Sequence, residues 1–389
     1  MFVVVNFQFF KTDNQMKIYQ SSLYAAAQVA DVEIPFDPNM IFVFISPDFD
    51  DKEAFITSLS NKYKNATITG CSTAGEILDI SVYDKTVALT AVQFEKTAIR
   101  LATVSLEGKV SSFEAGDRIT TILNGKDLKH MLVFSDGLTV NGAELVNGLK
   151  SQLPKEVSIT GGLAGDGPNF NKTFVISNGD ILQNNIVAVG LYGDALKVGY
   201  GSKGGWDSFG VERLVTKSVD NVLYELDGQP ALQLYKSFLG EKAKELPGAG
   251  LLFPLSMRDT ENKIPLTRTI LAIDEEAQSL TFAGNIHEGS YVRLMKANID
   301  RLIMGAEQSA QITKKATTES AQLAFLISCV GRRLVMNQLV EEEVEAVRDV
   351  LGPDTNITGF YSYGEIAPFD EFSPCKLHNQ TMTITTLSE

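Results

Sequence analysis

Three short segments of the chain are apolar at almost every position and end at a serine. These segments are Ile41–Ser46, Met131–Ser135 and Leu323–Ser328. A strand with one face in water alternates apolar and polar residues, whereas a continuous apolar run is typical of a strand buried on both faces. The pattern therefore predicts three interior strands, with helices covering at least one face of each.

Similar elements surround each of the three runs. A segment with apolar residues at mixed i+3 and i+4 spacing follows each run and predicts a helix. These helices are Glu53–Tyr63, Gly142–Leu153 and Val335–Leu351. A strand and a helix are predicted before each run, with the strands at Phe2–Val5, Ile99–Val104 and Tyr291–Leu294 and the helices at Met16–Ala30, Phe113–Leu123 and Ile299–Thr313. A last strand closes each unit, at Val87–Val92, Ile186–Leu191 and Met382–Thr385.

A short motif recurs after each of the following helices. Ile-Thr-Gly occurs at residues 68–70, 159–161 and 357–359, and each copy leads through small or aromatic residues to Gly75-Glu76, Gly165-Asp166 or Gly364-Glu365. Repeats at wide spacing indicate internal duplication. We expect the three turns to converge with the neighbouring strand ends, where flexible backbone and acidic groups would form a pocket.

The order of elements predicts an α/β fold of the mixed α+β type. Mixed sheets flanked by helices are built from repeated β-α-β-α-β-β units. We predict a first domain at residues 1–199, with copies at about 1–98 and 99–199, and a second domain at 200–389. The second domain holds a strand-rich part at 200–290, with a strand at Leu251–Pro254, and the third copy at 290–389.

Composition narrows the class of protein. The formal charge is −14, from 34 Lys and Arg against 48 Asp and Glu, and a negative field of this kind disfavours binding to nucleic acid. No apolar run approaches the length of a membrane span. The N-terminus lacks the positive region of a signal peptide, and three sparse cysteines are typical of a reducing cytoplasm. We therefore expect a cytoplasmic protein.

Several motifs resemble a known family. Cys71–Glu76 resembles the Gly-Cys-Ser-Thr-Ala-Gly-Glu signature of the FIST N-terminal domain. Four further segments resemble the FIST C-terminal domain, namely Gly250–Pro254 with Arg258, Ser328–Arg332, Gly359–Pro368 and His378–Thr381. The resemblance covers nearly the whole chain and keeps the order of the motifs.

The resemblance implies a sensory domain of bacterial or archaeal signal transduction that binds a small molecule such as an amino acid. Members occur alone or fused to histidine kinases, chemotaxis receptors or cyclic-dinucleotide enzymes. Because no output domain follows Glu389, we expect a stand-alone sensor that acts on a separate signalling protein, such as a histidine kinase or a chemotaxis component. A subset of the family resembles haem-binding nitric-oxide sensors, which makes a haem sensor the alternative.

The first candidate group for ligand binding is the motif Cys71–Glu76. Glycines such as Gly75 permit unusual backbone angles, Ser72 and Thr73 offer hydroxyls, and the Glu76 carboxylate suits an amine. The alternative is a tight strand end whose hydroxyls bond to their own backbone.

The second candidate group is the same motif in the third copy. Because alternate residues of a strand share a face, Tyr361 and Tyr363 are predicted to project together beside Glu365. An aromatic pair near a carboxylate can enclose an ammonium group. The alternative is ordinary core packing with a hydrated phenol edge.

Two arginines are candidates for a ligand carboxylate, because a guanidinium binds a carboxylate through two parallel hydrogen bonds. Arg258 follows the predicted strand Leu251–Pro254, and Arg332 follows the strand end Ser328-Cys329, where Cys329 is also a candidate. The alternative for each arginine is an ion pair with an internal acid. Arg333 is predicted to face away from Arg332.

His378 and Asn379 complete the candidate ligand-binding residues. A lone histidine is more often structural than a haem or metal ligand, and no Cys or His pair has the spacing of a structural zinc site. We therefore predict no cofactor, with haem on His378 as the alternative. Catalysis by Cys71 with His378 as base and Glu76 as orienting group is a further alternative. No catalytic or nucleotide-binding signature motif accompanies it, so we predict no enzyme.

Overall fold

The fold contains three related α/β copies and one inserted sheet. The computed structural model describes the backbone of residues 6–8 and the whole of residues 15–258, 265–317 and 320–389. These residues form four sheets and seven α-helices. The mixed α+β class predicted from the sequence is confirmed. The strand predicted at Phe2–Val5 lies outside the described residues.

The first copy spans the N-terminal part of the chain. Its elements are β1 Asn6–Gln8, β2 Lys17–Leu23, a 3₁₀ helix Ala26–Asp31, β3 Met40–Ile45, α1 Lys52–Lys62, β4 Thr67–Ser72, β5 Glu76–Leu78, β6 Ser81–Tyr83 and β7 Val87–Gln93. The helix predicted at Met16–Ala30 is therefore wrong. Residues 17–23 pair with β7 as a buried strand, because tertiary pairing overrides the weak helical pattern there.

The second copy repeats this order more regularly. Its elements are β8 Ala98–Ser105, α2 Ser112–Leu123, β9 Leu128–Ser135, α3 Gly142–Lys150, β10 Ser158–Leu163, β11 Val175–Ser177, β12 Asp180–Leu182 and β13 Asn185–Tyr192. Side-chain caps begin both helices. Ser111 accepts from Glu114 N, and Asn141 accepts from Ala143 N and Glu144 N, which satisfies backbone donors that have no partner inside the helix.

The third copy begins with β14 Lys197–Lys203 and resumes after a long insertion. Its later elements are α5 Ile299–Lys315, β24 Leu323–Cys329, α6 Val330–Met336, a 3₁₀ helix Asn337–Leu339, α7 Val340–Leu351, β25 Asn356–Ser362, β26 Gly364–Ala367, β27 Lys376–His378 and β28 Met382–Ser388. β14 pairs antiparallel with β28, as β2 pairs with β7 and β8 with β13.

The inserted residues form a sheet of their own. Its elements are β15 Asp207–Ser208, β16 Arg213–Val219, β17 Val222–Leu226, β18 Gln229–Pro230, α4 Ala231–Leu239, 3₁₀ helices Gly240–Glu245 and Gly248–Leu251, β19 Leu255–Arg258, β20 Leu266–Arg268, β21 Ile270–Asp274, β22 Ser279–Phe282 and β23 Tyr291–Lys296. Two assignments are corrected here. The predicted strand Tyr291–Leu294 belongs to this sheet and does not open the third copy. Residues 251–254 end a 3₁₀ helix and are not a strand.

Each copy completes the sheet of another copy with a hairpin. The hairpin β11–β12 of the second copy extends the first sheet beside β4, the hairpin β26–β27 of the third copy extends the second sheet beside β10, and the hairpin β5–β6 of the first copy extends the third sheet beside β25. The exchange is cyclic, so each copy donates one hairpin and receives one.

The three sheets face one another across an apolar interior. Phe42, Phe44, Phe134, Phe325 and Phe360 belong to one buried cluster, and the rings of Phe44 and Phe360 lie 4.8 Å apart. The alternate residues of β3 pack on the other side of the sheet with Phe55 of α1. The interior strands are thus buried on both faces, as their continuous apolar pattern predicts.

The glycine of each Ile-Thr-Gly motif lies against the neighbouring parallel strand. A Cβ on Gly70, Gly161 or Gly359 would lie 1.8–1.9 Å from the carbonyl oxygen of Val43, Val133 or Leu326. Such a contact is far shorter than van der Waals separation, so the position requires glycine. All three copies therefore share this close backbone contact, which explains why the glycine recurs in the motif.

Candidate functional site

The three turns that follow the motifs meet at the centre of the molecule. Ala74 N donates to the Tyr361 carbonyl at 2.8 Å, and Tyr361 N donates to the Gly75 carbonyl at 2.8 Å. Gly165 N donates to the Ser72 carbonyl at 2.9 Å. One backbone hydrogen-bond network therefore joins all three copies at the convergence predicted from the sequence.

The acids of the first and third turns make equivalent internal contacts. Glu76 Oε1 accepts from the Thr73 hydroxyl, while Oε2 accepts from Thr86 N at 3.1 Å and from its hydroxyl at 2.8 Å. Glu365 accepts from the Ser362 hydroxyl at 2.7 Å, from Thr381 N at 3.2 Å and from the Thr381 hydroxyl at 2.9 Å.

Both carboxyl groups are buried. Burial raises the pKa of Glu76 to about 7 and the pKa of Glu365 to about 8, against the lowering effect of their hydrogen bonds. In a buried site, the charged form loses more solvation than these donors return. The role that these contacts give each acid is therefore structural, through hydrogen bonds to other residues of the same chain.

The acid of the second turn binds across the interface between two copies. Asp166 accepts from the Tyr363 hydroxyl and from Asn171 N and Lys172 N at 2.8 and 2.7 Å. The Tyr363 ring stacks on Phe170 with centroids 4.3 Å apart. Burial and the nearby Asp166 carboxylate raise the pKa of Tyr363, so the phenol stays protonated and keeps donating.

Arg332 forms a buried ion pair inside the third copy. Its guanidinium lies 2.6 Å from Glu343, and both side chains are 0% exposed. The guanidinium also donates to the carbonyls of Gly204 and Leu302, at 2.6 and 2.8 Å. Arg332 therefore pairs with an internal acid, which the sequence left open as the alternative to binding a ligand carboxylate.

The hydroxyl of Tyr361 donates to the same acid, at 2.7 Å from Glu343 Oε1. Tyr363 bonds Asp166 instead, so the two hydroxyls have different partners, although both rings belong to one buried cluster. That the two rings enclose a ligand beside Glu365 stays a prediction. The Arg333 guanidinium lies 5.5 Å from the centroid of the Tyr361 ring.

Arg333 does face away from Arg332, as predicted. It donates to the Ala74 carbonyl and to Asp84, the latter at 2.6 Å. A Cβ on Gly75 would lie 2.7 Å from the guanidinium carbon of Arg333, so the glycine makes room for this side chain. The contact ties α6 of the third copy to the turn of the first.

The candidate thiols lie in the interior. Cys71 is fully buried, and burial raises its pKa well above the ordinary value. The thiolate that nucleophilic catalysis needs is therefore disfavoured. Glu76 bonds Thr73 and Thr86, and His378 bonds Ala367; no described hydrogen bond links either of them to Cys71.

Burial and the nearby Glu365 also raise the pKa of Cys329. The Ser72 hydroxyl accepts from Phe174 N at 3.1 Å, which is a structural role.

His378 is a neutral interior histidine. Burial lowers its pKa to about 4. Its Nε2–H donates to the Ala367 carbonyl at 2.7 Å, and its ring lies edge-on against Phe369. To bind haem iron through Nε2, the side chain would have to give up this hydrogen bond, so the arrangement does not fit a haem ligand. The neighbouring Asn379 is fully buried, and neither amide atom has a hydrogen-bond partner among the described residues.

Arg258 lies apart from the other candidates. It ends β19 in the inserted sheet, pairs with Glu212 at 3.1 Å and lies over the Tyr291 ring. The structure therefore brings the candidates of the first and third motifs together at the centre and leaves Arg258 outside. Whether any of them binds a ligand stays a prediction.

A cavity lies between the second and third copies. We call it the hairpin cavity, and its volume is about 460 Å³. Its lining consists of Lys150, Leu153, Pro154, Lys155, Val157, Ser158, Ile159, Tyr200, Pro368, Glu371, Phe372, Ser373, Pro374 and Cys375. Burial, followed by the charge of Glu371, raises the pKa of Tyr200. None of the candidate residues predicted from the sequence lines this cavity.

The charged groups of the hairpin cavity have no ion-pair partners. In the part of the chain that the structure describes, Lys150, Lys155 and Glu371 form no salt bridge. They were hard to recognise in the sequence, because isolated charged residues at helix ends and in connections are usually solvated. One feature of the sequence could have indicated this cavity, namely the connection Pro368–Cys375. It is longer than the matching turns of the other two copies.

A second cavity, of about 370 Å³, lies between the first and third copies. Three of its polar lining residues already have partners. Gln322 Oε1 accepts from Glu389 N at 2.9 Å, and Asn356 Nδ2 donates to the Gln322 carbonyl at 3.0 Å. Lys17 lies 3.5 Å from Glu95.

Two further observations concern membranes and metals. Among the described helices, none has the length and apolar character needed to span a membrane. Within the same residues, no group of three or more His, Cys, Asp or Glu side chains is arranged to hold a metal ion.

The fold defines a class of protein in which three α/β copies exchange hairpins around a buried polar centre. The FIST N domain model matches residues 39–229, and the FIST C domain model matches residues 231–368. The chain therefore belongs to the FIST family, whose domains are sensory domains of signal transduction. This confirms the resemblance seen in the motifs.

Similar proteins add little about function. The uncharacterized protein MJ1623 of Methanocaldococcus jannaschii is 28% identical over 335 residues, which cover 77% of this chain and 64% of that protein. This chain thus spans less than two thirds of its relative's length. Cyanuric acid hydrolase from A. caulinodans is 9% identical, with 95% of this chain and 98% of that chain covered at a TM-score of 0.35. T. maritima PurL complexed with ADP is 8% identical, with 99% and 73% covered at a TM-score of 0.23. Neither structural likeness defines the function of this chain.

Proposed function

We propose that this protein is a sensor that binds a small zwitterionic ligand, such as an amino acid, in the hairpin cavity. The observation that carries the proposal is a cavity of about 460 Å³ whose wall combines unpaired Lys150 and Lys155 with unpaired Glu371. Small-molecule sites usually have volumes of roughly 300–1,000 Å³ and a few polar groups on a mainly apolar wall.

The charges suit both ends of such a ligand. A carboxylate would bind the ammonium groups of Lys150 and Lys155, and an amine would bind Glu371. Tyr200 adds a half-buried hydroxyl, and Leu153, Pro154 and Pro374 supply apolar surface.

The ligand signal would pass through the hairpin β26–β27. The connection between these strands forms one wall of the cavity, and the strands carry Glu365 and His378 into the central network. A ligand that binds one arrangement of the hairpin more tightly shifts the population toward it. A coupling free energy of about 1–3 kcal/mol would change partner affinity by several-fold to about a hundredfold.

We propose that the output is a separate cytoplasmic signalling protein, such as a histidine kinase or a chemotaxis component. Membership of a family of sensory domains supports this proposal. The three cysteines are unpaired thiols, which is consistent with a reducing compartment.

A thermal-shift screen against the standard L-amino acids tests the proposal. A ligand at about 100 times its Kd adds about 2.7 kcal/mol of stability. We expect the shift to be lost in Lys150→Gln and Lys155→Gln and kept in Lys126→Gln, an exposed lysine outside the cavity. Shifts that are absent throughout the panel, or unchanged in the cavity variants, would contradict a ligand in this cavity.

A further inference from the structure

The connection between β26 and β27 differs from its counterparts in the other copies. The hairpin β5–β6 turns through Asp79-Ile80 and β11–β12 turns through Asn178-Gly179, whereas β26 and β27 are joined by the eight residues Pro368–Cys375. Most of these residues line the hairpin cavity. In a fold with three equivalent hairpins, the extra length occurs where a cavity has formed.

Contacts to neighbouring elements anchor both ends of this connection. The Phe369 carbonyl accepts from Ser202 N at 3.2 Å, and the Phe369 ring packs against His378. At the other end, the Cys375 thiol donates to the Ile159 carbonyl at 3.4 Å. These two points fix the connection to the third and second copies.

Local hydrogen bonds alone hold the middle of the connection. Asp370 Oδ1 accepts from Phe372 N at 3.0 Å and from the Ser373 hydroxyl at 2.6 Å, and the Asp370 carbonyl accepts from Ser373 N at 3.2 Å. Within the described residues, these bonds stay inside segment 370–373. The segment can therefore move as a unit between its anchors.

Phe372 projects from this segment into water. It is 88% exposed, more than any other large apolar residue in the described chain. The opposite wall presents Leu153, Pro154 and Val157, which are only partly covered. Contact between the ring and this wall would remove apolar surface of both from water.

We propose that segment 370–373 is a lid that closes over the occupied hairpin cavity by packing Phe372 on Leu153, Pro154 and Val157. The lid rests on the proposed function, since it regulates the same site. Its wall belongs to the second copy and its anchors continue into β26 and β27. Closure therefore adds a contact between the second copy and the hairpin of the third copy that depends on occupancy of the cavity.

Disulfide trapping tests lid closure with and without an occupant. Ser373→Cys is combined with Leu153→Cys in a Cys375→Ser background, which keeps the Phe372 ring, and the protein is exposed to a mild oxidant. The control pair combines Ser373→Cys with Ser151→Cys, because Ser151 does not line the cavity and its hydroxyl bonds Asp117 of α2. We expect cross-linking of the Leu153 pair only, and faster cross-linking with the amino acid that gives the largest thermal shift. Equal cross-linking of the two pairs would overturn the lid.

Ligand affinity gives a second readout. With the same amino acid, Phe372→Ala is expected to weaken binding about tenfold, and Phe372→Tyr, which keeps the ring, to bind like the wild type. Equal affinities in all three proteins would also overturn the lid. If the Leu153 pair cross-links while no amino acid binds, the lid stands and the proposed ligand class fails. If an amino acid binds without any cross-link, the lid fails and the ligand site stands.

Discussion

Glu76 and Glu365 occupy equivalent positions in the first and third copies, and each carboxylate accepts the same pattern of hydrogen bonds. In both, one oxygen accepts from a hydroxyl three residues earlier, on Thr73 or Ser362, and the other accepts from the backbone and hydroxyl of one threonine, Thr86 or Thr381. The second copy breaks the pattern with Asp166, which bonds Tyr363 of the third copy. The first and third copies therefore share one hydrogen-bond pattern at the centre. The second copy differs, because its acid joins it to the third copy.

The first prediction concerns pH and Glu365. Its folded pKa is about 8, against an ordinary value of 4.5, so the folded state binds the proton more tightly than the unfolded state. The free energy of unfolding therefore falls as pH rises from about 4.5 to about 8 and levels off above that. In Glu365→Gln this dependence should be weaker, by at most about 1.4 kcal/mol per pH unit.

Urea unfolding at several pH values measures this dependence. Glu342→Gln is the control, because Glu342 is exposed and lies outside the centre. Glu76→Gln should reduce the dependence over a narrower range, which ends near the Glu76 pKa of about 7. The same slope in Glu365→Gln and the wild type would show that Glu365 does not titrate in this range.

The second prediction concerns two adjacent arginines. Arg332→Met leaves Glu343 as a buried charge without its partner, and breaking such a pair typically costs about 3–5 kcal/mol. Arg333→Met loses an ion pair whose acid, Asp84, is 71% exposed, and pairs near the surface contribute about 1 kcal/mol or less. Urea unfolding at neutral pH compares the two variants. Similar losses in both would contradict the distinct environments of these side chains.

The sequence predicted the parts of this fold that depend on local pattern. The interior strands show continuous apolar runs, and their glycines recur because each faces a backbone carbonyl. The strand Lys17–Leu23 was mistaken for a helix, because apolar and polar residues over a short segment fit either period. The strand Tyr291–Lys296 was assigned to the third copy, because a long insertion separates β14 from α5.

Long-range pairing explains most of what the sequence could not predict. Which sheet receives β5–β6 or β26–β27 depends on contacts between residues hundreds of positions apart, and short strands carry no local mark of their partner. The candidate residues at the centre were recognised by their motifs. Lys150, Lys155 and Glu371 were missed because they come together only when the third copy packs on the second.

The third prediction concerns the glycine of the repeated motif. Gly70→Ala places a Cβ 1.9 Å from the Val43 carbonyl oxygen, so β3 and β4 must separate or the strand must shift. Overpacking of this kind typically costs about 1–3 kcal/mol and sometimes more, and we expect the upper end because the obstacle is backbone. Gly248→Ala is the matched control, because its Cβ would meet nothing within 4 Å. Thermal and urea unfolding should show a large loss for Gly70→Ala and little change for Gly248→Ala. Equal stability of the two variants would mean that the parallel pair β3–β4 can yield at this point, and that the motif is repeated for a reason other than packing.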